Sequence, residues 1–249
     1  MGNSTCGRLM GALLMGLLLL VAVGCGDGLS QAERHYNAGL ALQEQGQQQR
    51  AIQDYDEALR LDAGYAKAYY NRGLAYGVLG QYERAIQDYD EALRLDPKDA
   101  QAYNSRGLVY GELGQYERAI QDYDQALRLD PTVAQVYNNR GNAYLQLGQH
   151  RRAIENYDQA LRLDANYAQA YYNRGLAYLQ LGQYERAIQD YEQALSLDPN
   201  LVPAYVNRAI AYTALHKDQE AERDVAKAVE LGFDLATLRA HIDSVKKRR

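Results

Sequence analysis

The side chains able to hold a metal or attack a substrate are few and scattered in this chain. Histidine occurs as His35, His150, His216 and His241, and cysteine as Cys6 and Cys25. No His-Glu-x-x-His pair is present, and no cysteine partners a histidine, so no zinc site is expected. Neither a Gly-x-Ser-x-Gly elbow nor a phosphate-cradling Gly-x-x-x-x-Gly-Lys-Ser/Thr loop occurs. Carboxylates abound, but at regularly repeated places, which give them similar surroundings. A hydrolytic pair needs two different ones. No catalytic constellation, cofactor or metal is therefore expected. What does recur at fixed spacing is binding chemistry: amides at Asn37, Asn71, Asn139, Asn173 and Asn207, and phenols at Tyr36, Tyr70 and Tyr172. A carboxamide both donates and accepts, so a row of them can bind a peptide backbone without demanding a sequence. Tyrosine adds rigid apolar area with a polar tip.

The elements that must position these groups follow from a 34-residue period. The run Gly-Gln-Tyr-Glu-Arg-Ala-Ile-Gln-Asp-Tyr starts at Gly80, Gly114 and Gly182, with a looser copy at Gly148. Six repeats follow, at 32–65, 66–99, 100–133, 134–167, 168–201 and 202–235. The period explains why 249 residues hold Tyr 23 times, Phe once and Trp never. A fixed period of this length marks an array in which no repeat buries its own apolar face alone. Each repeat reads as two helices. In 66–99, Tyr69, Gly73 and Tyr76 form one helical stripe, and Ala85, Ile86, Tyr89, Ala92 and Leu93 a second. Gly80 is placed to end the first helix in a left-handed conformation, and Pro97 to stop the second. Composition excludes other classes. With 27 Lys+Arg against 32 Asp+Glu the net charge is -5, against a general nucleic-acid binder. Four prolines and two cysteines fit neither a Pro-rich disordered chain nor a disulfide scaffold.

The repeats resemble tetratricopeptide repeats (TPR). The matching residues are Tyr69, Gly73, Tyr76, Ala85, Tyr89, Ala92 and Pro97 in the second repeat, and Tyr103, Gly107, Tyr110, Ala119, Tyr123, Ala126 and Pro131 in the third. The fifth fits equally, and the fourth has Ala165 in place of the proline. The first and sixth depart more, with His35, Leu42 and Ala63 in one and Ala209, His216 and Val225 in the other. Atypical ends suit capping repeats. The resemblance implies an all-α, right-handed α-α superhelix whose first helices line a concave groove, at roughly the second, fifth, sixth, ninth, twelfth and thirteenth places of each repeat. It thereby points to Tyr36, Asn37, Lys67, Tyr70, Asn71, Leu74, Asn104, Leu108, Asn138, Asn139, Asn142, Tyr172, Asn173, Leu176 and Asn207 as peptide-binding residues. For the amide row a second reading stands beside this one, in which each Asn bonds to the neighbouring repeat. Some members clamp a peptide carboxylate with Lys and Asn. Lys67 and the amides are present here, but the other basic places hold Gln, Tyr or Asn. At the seventh place, Arg72, Arg106, Arg140, Arg174 and Arg208 run in phase with Asp88, Asp122, Asp190 and Asp224, which reads as an ion pair between the two helices of a repeat.

The flanks carry other signals. Residues 9–23 are uncharged and Leu-rich, about 22 Å of helix against a ~30 Å hydrocarbon core, so they read as a signal peptide over 1–24. Ala22-Val23-Gly24-Cys25 resembles the lipobox of bacterial lipoproteins, implying a diacylglycerol on Cys25; the plainer reading is a cleaved signal with an incidental cysteine. The same resemblance, with Gly26 rather than Asp directly after the cysteine, implies the outer membrane, facing the periplasm. Residues 25–31 would be a tether of at most about 20 Å beyond the anchor, which keeps partners near the membrane. After Leu235, residues 236–249 read as a capping helix: Asp234 caps it, Leu238, Ile242 and Val245 form its stripe, and Lys246 to Arg249 make a basic end. These cations either complement the helix C-terminus or meet anionic lipid or an acidic partner. The expected function is a non-catalytic scaffold of the bacterial envelope that binds peptide segments or other envelope proteins, with no nucleic acid. The alternative is a self-assembling lipoprotein whose repeats stack with other copies, a homo-oligomer.

Overall fold

The computed structural model describes residues 29–247. The signal segment, Cys25, most of the tether and the last two arginines lie outside the described residues. The described chain is all-helical, with 13 helices and no strands. It divides into two compact bodies, one ending at Gln81 and one beginning at Tyr82. The first body holds α1 (Gln31–Glu44), α2 (Gln48–Leu61) and α3 (Ala66–Val78). The second holds α4 (Tyr82–Leu95), α5 (Ala100–Glu112), α6 (Tyr116–Leu129), α7 (Ala134–Gln146), α8 (His150–Leu163), α9 (Ala168–Gln180), α10 (Tyr184–Leu197), α11 (Val202–Ala214), α12 (Asp218–Glu230) and α13 (Leu235–Lys246). Within each body, helices adjacent in sequence pack as antiparallel neighbours across short turns.

Local chemistry sets the helix ends. Ser30 and Glu33 form a reciprocal capping box at the start of α1. The turn glycines Gly80, Gly114, Gly148 and Gly182 all have φ near +70°. At the first of these, Gly80 N–H donates to Gly77 O at 3.0 Å and Gln81 N–H to Tyr76 O at 2.9 Å, which satisfies carbonyls the helix leaves orphaned. His216 takes the same place with φ +60°, a conformation costing a Cβ-bearing residue about 1 kcal/mol. Second helices end just before the expected proline where it is present, as α4 does at Leu95, and a second signal recurs where it is not. Asp62, Asp96, Asp130, Asp164 and Asp198 each accept, through Oδ1, from the N–H two residues on, at 2.8–3.0 Å. This Asx turn bends the chain out of the helix whether Pro97 or Ala165 follows.

The core is thin and repetitive. Tyr55, Tyr89, Tyr123, Tyr157 and Tyr191 are buried at one place of the period, each contributing roughly 2 kcal/mol by burial. Their rings are seated on glycine. A Cβ on Gly107 would lie 2.8 Å from the Tyr123 ring, and one on Gly141 2.6 Å from that of Tyr157. Gly39 and Gly175 stand in the same relation to Tyr55 and Tyr191. In the last repeat both members change together, to Ala209 and Val225, so the smaller second-helix side chain leaves room for a methyl group on the first. There α13 closes the array. Asp234 Oδ2 accepts from Thr237 N–H at 2.6 Å, and Leu238 and Ile242 are fully buried in a cluster with Val206, Ala209 and Val225.

Candidate functional site

The arginine row is structural and holds more than the sequence indicates. Arg106 Nε and Nη2 donate to both oxygens of Asp122 at 2.8 and 2.7 Å, the expected pair within a repeat. Its Nη1 also donates to Asp90 at 2.5 Å, a carboxylate of the preceding repeat. Arg174 repeats this with Asp190 and Asp158, and Arg140 with Asn156 and Asp124. In the first body Arg72 reaches back to Asp56 at 2.6 Å. Each guanidinium also lies against at least one tyrosine ring: Arg106 is 5.6 Å from the Tyr103 centroid and 6.0 Å from that of Tyr110. Burial works against the Arg106 charge, but its hydrogen bonds to Asp122 and Asp90 outweigh it and hold the pKa above the ordinary arginine value. Tyrosine at the fourth place lies against the cation in each of these repeats, and the eleventh-place ring joins it at Arg72, Arg106 and Arg208.

The amide row also joins repeats, through side chains. Asn139 Nδ2 donates to Asn104 Oδ1 at 3.2 Å, Asn173 Nδ2 to Asn138 Oδ1 at 3.0 Å, and Asn207 Nδ2 to the Tyr172 hydroxyl at 3.1 Å. In the first body Asn71 Nδ2 donates to the Tyr36 hydroxyl at 3.1 Å and to Lys67 O at 2.9 Å. A sixth-place amide therefore caps the fifth-place side chain one repeat earlier. Burial pushes the Tyr36 and Tyr172 phenols up, and their asparagine donors oppose the shift. Asn138 and Asn173, expected in the groove, are only 3% and 6% exposed, because their rung is sealed between α7 and α9. They join first helices and do not face a ligand.

Three of the expected residues converge on open space. Leu108, Asn139 and Asn142 line a cleft of about 360 Å³ between α5 and α7, together with Gly111, Glu112, Tyr116, Tyr123, Ala143 and Gln146. The floor is Tyr123, reached because Gly111 places no side chain over it. Burial pushes the Tyr123 phenol well above the ordinary tyrosine value, and the Asp122 and Glu112 carboxylates add to the shift. Asn142 Oδ1 accepts from the Tyr157 hydroxyl at 2.8 Å, which fixes its carboxamide beside the cleft. Leu108 is 41% exposed, a large apolar side chain facing the opening. The remaining expected residues lie elsewhere. Tyr36, Asn37, Lys67, Tyr70, Asn71 and Leu74 belong to the first body, and Tyr172, Leu176 and Asn207 lie further along the second. Tyr123, Glu112 and Gln146 were not expected from sequence to line the groove. Two of these stand at the thirteenth place, within the groove-lining set, and that was the available signal.

Among the described residues no group of three or more His, Cys, Asp or Glu side chains is placed to hold a metal ion. No described helix is long and apolar enough to cross a membrane.

Protein-family models described as "Tetratricopeptide repeat" match residues 66–99 and 168–201 and, in a second case, 88–121. One described as "TPR repeat" matches 39–80, 110–148 and 141–182. The solved structure of MamA is 30% identical, with 64% of this chain covering 93% of that one at a TM-score of 0.61. The chain belongs to the tetratricopeptide repeat family. Tetratricopeptide repeats generally serve as non-catalytic scaffolds for protein interaction. Two further TPR structures share the fold. YrrB, titled a TPR protein with an unusual peptide-binding site, is 24% identical over 76% of this chain and 97% of its own, with a TM-score of 0.64. PilF of Pseudomonas aeruginosa is 19% identical over 88% and 98%, with a TM-score of 0.73. No curated protein matches the chain.

Proposed function

We propose that this TPR chain is a non-catalytic scaffold that binds extended segments of partner proteins along its first helices, centred on the α5–α7 cleft. The observation that carries the reading is the cleft itself. Leu108 offers apolar contact there, while Asn139, Asn142 and Gln146 present carboxamide groups to a peptide backbone. The arginine row and most of the amide row are already engaged within and between repeats, whereas the cleft brings Leu108, Asn139 and Asn142 together on open space.

The same proposal sets the scaffold in a bacterial envelope, held by lipid on Cys25 and working close to an outer membrane on its periplasmic side. It rests on the lipobox-like Ala22-Val23-Gly24-Cys25 run and the short tether. Two or three acyl chains, at about 0.8 kcal/mol per buried CH₂, suffice for stable anchoring. A photo-crosslinking residue at Leu108, in the native host, should capture partners that one at the exposed Gln125 of α6 does not. Identical capture at both positions would sink the groove reading. Incorporation of a labelled fatty acid that survives Cys25→Ser would sink the anchor.

Self-assembly is a second reading, favoured by Leu129, Leu163 and Leu197, which stand exposed at one place of three successive repeats. Stacking through the C-terminal end is opposed by α13, which covers it. Concentration-dependent mass by light scattering distinguishes this reading from a monomeric adaptor.

A further inference from the structure

The first helices of the second body are nearly free of charge on the side that forms the cleft. The second, fifth, sixth, ninth, twelfth and thirteenth places of α5, α7, α9 and α11 hold Gln, Asn, Ser, Tyr, Leu, Ile, Val, Gly, Thr, Ala and Pro, and one ionisable acid or base among them, Glu112, besides the Tyr172 phenol. Glu112 is exposed on the cleft wall and pairs with no cation among the described residues. The seventh-place cations of these helices, Arg106, Arg140, Arg174 and Arg208, are by contrast already paired with aspartates.

The surroundings of this carboxylate suit a positive charge. Glu112 is the last residue of α5 and Gln146 the last of α7, so two helix C-termini, each a partial negative pole, border the cleft. Tyr116 and Tyr123 contribute aromatic rings to its walls, and the carboxamides of Asn139 and Gln146 contribute neutral acceptors. No lysine, arginine or histidine lines it. An anionic segment would meet an unpaired carboxylate, whereas a lysine or arginine side chain would meet a carboxylate, aromatic rings and amide oxygens together.

We propose that the α5–α7 cleft selects a lysine or arginine side chain of the bound segment, with Glu112 as the specificity-determining residue and Leu108 contacting the aliphatic part of that side chain. This rests on the peptide-binding reading above. The test is a positional-scanning array of capped octapeptides probed with the purified full-length chain, followed by fluorescence anisotropy on the best binder and its lysine-to-norleucine twin. The cationic peptide should bind roughly fivefold to twentyfold more tightly than the twin at low salt, with the difference shrinking as salt rises. Glu112→Gln, an exposed change that leaves the core untouched, should abolish the difference, and Glu112→Lys should turn the preference toward glutamate. Peptides that bind without a cationic preference, or a preference that survives Glu112→Gln, overturn the selection while leaving peptide binding intact. An array with no binder at all overturns the groove reading, and this inference with it.

Discussion

Tyr123 and Tyr191 occupy the same place of their repeats, on the same glycine seat, yet one floors a cleft and the other is sealed. Over Tyr123 the twelfth place of the first helix is Gly111, and 3% of the residue remains exposed at the bottom of the opening. At the corresponding place above Tyr191 stands Leu179, packed against the same hydrophobic cluster. Tyr191 is wholly buried there, and its hydroxyl has no hydrogen-bond partner among the described residues. Tyr157 is intermediate, with Leu145 packed against its cluster but Asn142 supplying an acceptor. Tyr55 solves the problem differently, donating to Gln43 at 2.8 Å. The comparison teaches that one scaffold carries a row of potential sites, and that the ninth and twelfth places decide which are open, satisfied or shut.

The largest expected effect tests whether the two regions really share a foundation. Arg106→Ala and Arg174→Ala should each cost about 3 kcal/mol in denaturant unfolding, because each strands a buried aspartate. Arg106→Ala should leave partner binding intact in the folded protein. Unequal costs at the two sites would break the premise that they differ only above the tyrosine.

Exchanging the twelfth-place residues comes next. Leu179→Gly should cost about 2–3 kcal/mol, through lost packing and helix propensity, and open a second cleft over Tyr191. Gly111→Leu should leave stability nearly unchanged, since a Cβ there would sit 4.0 Å from the Tyr123 hydroxyl, an ordinary contact. It should weaken peptide binding at least tenfold by anisotropy (~1.4 kcal/mol). Unaltered binding would detach function from the cleft.

A finer comparison uses the hydroxyls alone. Tyr157→Phe should destabilise by about 1 kcal/mol, since it leaves Asn142 without its donor. Tyr191→Phe should be neutral or stabilise by up to about 1 kcal/mol, because it removes a buried group with no partner. Calorimetry giving both the same sign would refute the distinction between satisfied and unsatisfied sites.

The smallest effect concerns pH. Burial holds the Tyr157 and Tyr191 phenols well above the ordinary value, so the unfolded chain loses these protons first. Their contribution to stability is complete below a pH of about 10 and is lost as pH rises beyond it. Phenolate absorbance should therefore rise in two stages, with the second coinciding with unfolding by circular dichroism. Tyr191→Phe should diminish that second stage.

Much of the fold was legible because the period repeats it. Tyr89 and Ala92 announce a buried stripe, Gly80 a left-handed stop, and Leu238 with Ile242 a covering helix, each from local chemistry and spacing alone. Second-helix endings were read from Pro97, and the aspartate before it marks them as well. That residue recurs at Asp62 and Asp164, where no proline follows, so the signal was present in the sequence. The site was less legible. Leu108, Asn139 and Asn142 were expected and do meet, but Asn138 and Asn173 turn inward, which no spacing rule distinguishes from facing a ligand.

By itself the sequence determined the repeat, its helical faces and the residue types on them, because these depend on separations of three, four and 34 along one chain. Only the tertiary structure decided what those residues touch. Whether an asparagine caps its neighbour or faces solvent, and whether Gly111 is a gap or Leu179 a lid, depends on how adjacent first helices are spaced. That spacing is set by groups shared between repeats, such as Arg106 on Asp90 and Asn139 on Asn104, contacts that no single repeat contains.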